Sequence, residues 1–157
     1  MINRYVIIAT IILGSIINAA PIKSEEAVKV ASNLLSIKIN EDDLKLHSIE
    51  VIKDGATDCI YIINFKNNSF VMVSGDNRIY PVLGYSDKNR FSYNNLPIQL
   101  KDMLEFYKQQ ISYVIENDSP SNVTIDNLWE YYLSDNLIAQ ETRNVQPLFS
   151  LNWDQGH

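Results

Sequence analysis

The pattern of hydrophobic and polar positions changes twice along this chain, from helical spacing to short apolar β-type runs and back. After position 24, Ala27, Val28, Ala31, Leu34 and Leu35 recur at helical spacing and define one apolar face. Ser24 is placed to cap that helix, with Glu25 and Glu26 in the first turn, where they complement the helix dipole. The pattern then turns β-like. Segments 44–53, 59–65 and 70–74 are rich in Ile, Val, Tyr and Phe, and turn signals separate them at Asp54-Gly55 and at 66–69. The four residues between Phe65 and Phe70 suit a hairpin loop. A fourth strand, 81–85, follows Gly75-Asp76-Asn77-Arg78, a turn by composition, with Pro81 confined to a strand start or an edge.

Helical spacing returns at Pro97, a residue suited to a helix start. Leu100, Leu104, Tyr107, Ile111 and Val114 follow in steps of four and three, and Asn117 to Pro120 close the segment. Thr124 is expected to cap a last helix, whose Ile125, Leu128, Trp129, Tyr132 and Leu133 form one stripe. Polar positions 134–144 read as a frayed helix or an exposed link. Helix, antiparallel strands, then helices predicts an α+β fold.

The first 19 residues change the picture of where the chain goes. Arg4 supplies a positive start and 5–17 an almost unbroken apolar run, the arrangement of an export signal and too short to cross a bilayer with margin. Cleavage is expected after Ala19, because a cut after Ala20 would place Pro21 directly across the scissile bond. This predicts a secreted or periplasmic chain with no stable membrane association after processing. The remaining 138 residues fit one domain, which buries roughly two-thirds of its unfolded surface. With Arg4 removed, 12 basic face 19 acidic side chains, and no Lys/Arg cluster exists to hold phosphate, so nucleic acid is excluded as a partner.

Candidate chemistry is sparse. Cys59 is the one cysteine and sits in the apolar run CIYIINF, where a thiol acts as small filler. A dyad of Cys59 with His47 would carry a thiol muted by apolar neighbours. His47, His157 and Cys59 lack metal-ligand spacing, and Ser74-Gly75-Asp76 lacks the context of a nucleophile elbow. There is no Gly-rich phosphate loop, and the acidic run Glu41-Asp42-Asp43 reads as a solvated connection. The residues therefore predict no cofactor and no catalysis. Tyr107, Trp129 and Tyr132 fall on core stripes, which leaves Phe91, Tyr93, Phe149 and Trp153 as the aromatic residues expected at the surface.

Two stretches carry a family resemblance. Residues 70–86 read FVMVSGDNRIYPVLGYS and 146–157 read QPLFSLNWDQGH, with YIINF before the first and LEFYKQQI between them. The chain resembles the streptopain family of secreted, papain-like cysteine peptidases: 20–140 its Spi-type inhibitory propeptide, 141–157 the processing region and the first residues of the mature enzyme. The resemblance implies a twisted antiparallel sheet of about four strands packed with three helices, and a streptopain-like cysteine peptidase as partner. The catalytic Cys and His of such an enzyme are not in this chain. A free-standing inhibitor, a truncated product and a fragment of a precursor are all compatible with that, as is a binding module that kept the fold. In the family, an Asn from the segment before the second helix enters a pocket beside the catalytic His and displaces it. That segment is FSYNNLPIQ, 91–99, and alignment on EFYKQQI puts Gln99 at the Asn position. Asn94 and Asn95 are the alternatives, and Gln99 can equally be an ordinary first-turn residue.

Overall fold

A computed structural model of the chain describes residues 20–39 and 44–135. The export segment, Glu41-Asp42-Asp43, most of the 134–144 link, Phe149, Trp153 and the NWDQG stretch lie outside them. The fold is α+β. Helix α1 (Ser24–Ser36) precedes four strands, β1 (Leu46–Asp54), β2 (Thr57–Phe65), β3 (Phe70–Ser74) and β4 (Val82–Ser86). Helices α2 (Ile98–Glu116) and α3 (Val123–Leu133) complete it. The sheet is an antiparallel meander in the order β1-β2-β3-β4, open at both edges.

Both faces of the sheet are covered, which explains why CIYIINF is apolar throughout instead of alternating. Side chains of Tyr61, Ile63, Phe65, Val71 and Val73 point to one face and pack against α1 and α3 through Val30, Leu34, Ile125 and Trp129. Ile60, Ile62, Phe70 and Met72 point to the other and meet α2 through Leu104 and Ile111. The strand register shifts between Ile52 and Lys53, and beside that irregularity Cys59 joins the α2 side.

Helix α1 and helix α3 are tied end to side. Asn33 Nδ2 donates to the carbonyls of Tyr132 (2.7 Å) and Ser134 (3.0 Å), at the carbonyl-rich end of α3. Lys29 pairs with Asp135 beside them. Trp129 Nε1 donates to the Ile79 carbonyl at 2.8 Å and fixes α3 to the β3–β4 connection.

Two helix starts differ from the sequence expectation. Lys23, not Ser24, is the N-cap of α1, and its N–H donates to Glu26 Oε2 at 2.8 Å. Asn122, not Thr124, caps α3, its Oδ1 accepting from Thr124 N and Ile125 N at 3.0 and 3.1 Å. In each case the chain enters the helix earlier, and a side chain other than the expected hydroxyl satisfies the free N–H groups.

Candidate functional site

The GDNR turn, the most recognisable part of the motif, is occupied with building the fold. Gly75 N–H donates to the Cys59 carbonyl at 2.7 Å, an approach so close that a side chain has no room there. Asp76 and Arg78 form a buried ion pair: Nε reaches Oδ1 at 2.8 Å and Nη2 reaches Oδ2 at 2.9 Å. The Arg78 backbone N–H adds a third bond to Asp76 Oδ1 (2.9 Å), and Nη1 reaches Asp118 just beyond α2 (3.0 Å). Asp76 holds the guanidinium pKa above its ordinary value. The stretch ahead of α1 lies along the same turn: Ile22 N–H donates to Gly75 O (2.8 Å) and Ala20 N–H to Asn77 Oδ1 (3.0 Å). These contacts leave the turn committed to the interior.

The 91–99 segment is different in kind. Ser86 Oγ accepts from the N–H groups of Lys88 (3.3 Å) and Asn89 (3.1 Å) and turns the chain off the sheet. Phe91 then returns to the core, its ring edge-on to Phe70 with centroids 5.4 Å apart. Its N–H donates to Asn64 Oδ1 at 3.0 Å. Asn64 is fully buried, and its Nδ2 donates to Glu50 Oε1 at 3.2 Å, so the amide is held from both ends. Leu96 forms the second anchor on the α2 side of the core. Between the anchors, Tyr93–Asn95 make a single 3₁₀ turn closed by Leu96 N–H to Tyr93 O (3.4 Å). Ser92, Tyr93 and Asn94 are exposed, and the Lys101 ammonium stands 5.9 Å from the Tyr93 ring. The result is a short arch with fixed feet and a solvent-facing crown.

Pro97 is the N-cap of α2, and its carbonyl accepts from Leu100 N at 3.0 Å. Gln99 lies in the first turn of α2 and is exposed, as is Asn94 on the arch. Asn95 closes the 3₁₀ turn. Asn94 on the crown and Gln99 on the helix that follows therefore flank one foot of the arch. Phe91, expected at the surface, is instead a buried foot, because Asn64 and Phe70 leave a socket for it. Tyr93 is exposed as expected.

Sequence reasoning missed Asn64, whose signal was an amide inside an otherwise apolar strand. Cys59 and His47 do not meet: His47 lies near the Leu46–Phe65 end of the ladder and Cys59 near the Lys53–Asp58 end, about 17 Å along the strand. Ser112 gives its hydroxyl proton to Asp54 Oδ2 (2.7 Å), and its Oγ lies 3.6 Å from Cys59 Sγ, which also reaches the Thr57 carbonyl at 3.7 Å. Burial pushes the Cys59 thiol up. This trio fastens α2 to the β1–β2 end of the sheet. Among the described residues, no three potential ligands gather around a metal position.

The sequence profile of Spi protease inhibitors matches residues 19–111, more than half of the chain. The chain belongs to the Spi protease inhibitor family. The matched part of this Spi domain runs from the stretch ahead of α1 through the sheet and the arch into α2. Helix α3 lies beyond it and still contributes Ile125, Trp129 and Tyr132 to the Spi core. No curated protein and no solved structure matches the chain. As a Spi domain it has a protease as its partner.

Proposed function

We propose that this Spi domain is exported, loses residues 1–19, and inhibits a streptopain-like cysteine peptidase by lying across its active-site cleft. The segment 91–99 enters the cleft, with the Gln99 amide in the pocket beside the catalytic imidazole. A thiolate nucleophile depends on an imidazole partner, so an amide that holds the ring aside disables the enzyme without chemistry. The observation that carries this reading is the arch: exposed polar side chains held between two anchors, the buried Phe91 and the partly buried Leu96. A pre-formed loop loses little conformational entropy on docking, which favours tight binding. Nanomolar inhibition needs about −12 kcal/mol.

The test is an inhibition titration. Residues 20–157, with folding verified by circular dichroism, are added to an activated streptopain-type peptidase from the same source. Activity should fall stoichiometrically, and Gln99→Ala should raise the inhibition constant at least tenfold. Asn94→Ala and Asn95→Ala run beside it; a larger effect from either would move the plug to that residue. Full peptidase activity at micromolar inhibitor would end the proposal.

A further inference from the structure

Helix α2 carries a second feature that its core packing does not use. Leu104 and Ile111 mark its buried face. On the opposite face, where a surface helix ordinarily carries polar residues, Ile98, Phe106 and Tyr113 are 63%, 56% and 63% exposed. Gln99, Phe106 and Tyr113 are spaced by seven, close to two helical turns, so they form a line about 21 Å long. The line begins at Gln99, beside the arch.

We infer that this outward stripe of α2, centred on Phe106 and Tyr113, is the second half of the peptidase-binding surface. The inference rests on the inhibitory reading above. The area argument is direct. A stable complex takes about 800 Å² and 20–30 residues from each partner. Segment 91–99 is nine residues long, and two of them, the buried Phe91 and the partly buried Leu96, serve as anchors. The arch alone is too small, and Phe106 and Tyr113 continue from it along the outward side of α2, with the exposed Asp102 and Gln109 set between. Phe and Tyr side chains offer roughly 150–250 Å² each, and Tyr is among the residue types over-represented where binding energy concentrates. The fastening of α2 by Ser112 to Asp54 and by Leu104 and Ile111 to the sheet keeps the stripe and the arch in one rigid frame. The occupant is thus the peptidase surface flanking the cleft, which lies against α2 while the arch reaches inward.

Phe106→Ala, Tyr113→Ala and the double variant test it against the same peptidase, with Gln99→Ala as the reference. Because both side chains face solvent, urea midpoints should stay at the wild-type value. Each single change should weaken inhibition about tenfold and the double change about a hundredfold. Hydrogen exchange on the wild-type complex gives an independent reading, with added protection expected along the outward side of α2. Wild-type inhibition that survives the double substitution, or no added protection in α2, would overturn the stripe while leaving the inhibitory reading intact. A wild-type domain that does not inhibit at all removes both. Sedimentation adds one more outcome: a dimer that dissociates in the double variant would assign the stripe to a second copy of the chain and overturn the inference.

Discussion

A methyl group added at Gly75 would stand 1.9 Å from the Asp58 carbonyl oxygen, with two further backbone atoms within 3 Å. No rotamer relieves such a contact, because both partners are main chain. Gly75→Ala should therefore cost about 3 kcal/mol or more, read as a drop in the urea midpoint. The sequence marked the SGDNR stretch as specific to a family, but the reasons behind its residues were not legible there. Gly75 is needed for a contact with a strand some 16 residues earlier. Gly55, by contrast, has φ +57° in a tight turn, a role that the Asp-Gly pair announces locally. Asp76 and Arg78 read as turn residues by composition, and only the fold makes them a buried pair. The same limit applies to Phe91, whose socket is assembled from Asn64 and Phe70.

At the scale of elements, all four strands and all three helices fall close to where the hydrophobic period puts them, since burial on both sheet faces reinforces the local signal. The caps were harder, because α1 begins at Lys23 with no capping side chain of its own, and α3 offers Asn122 and Thr124 two positions apart. Asn122 accepts two backbone N–H groups and Thr124 only contributes its own N–H to it. Asn122→Ala should lower stability by about 1 kcal/mol and Thr124→Ala by much less, a contrast that thermal unfolding of the two variants would resolve. Helix α2 shows what a period does not report. Its inner residues are fixed by repetition, whereas Phe106 and Tyr113 fall out of phase with the core and carry no signal until their exposure is seen.

For the whole molecule, the two-sided sheet stakes its stability on buried hydroxyls as well as on apolar area. Burial holds the Tyr132 phenol at about 12. Tyr61 is raised to about 12 by burial first and by the nearby Asp58 carboxylate second, while its hydroxyl donates to the Ile22 carbonyl at 2.8 Å. Both groups are neutral in the folded chain at a pH where the unfolded chain, with pKa near 10, already ionises. Their contribution is therefore complete below pH 10 and is lost as pH rises from 10 towards 12. Urea midpoints should begin to fall near pH 9, where the unfolded Cys59 thiol ionises, and fall more steeply above pH 10, with Tyr132→Phe flattening the steeper part. One consequence of the meander concerns time. Each of β2, β3 and β4 pairs with the strand just before it, so within the sheet no strand pairing waits for a distant segment, and local pairing of this kind favours rapid folding. Its sheet can close hairpin by hairpin as the chain lengthens, and the β2–β3 pairing already holds the Asn64 and Phe70 socket when Phe91 arrives to seat the arch.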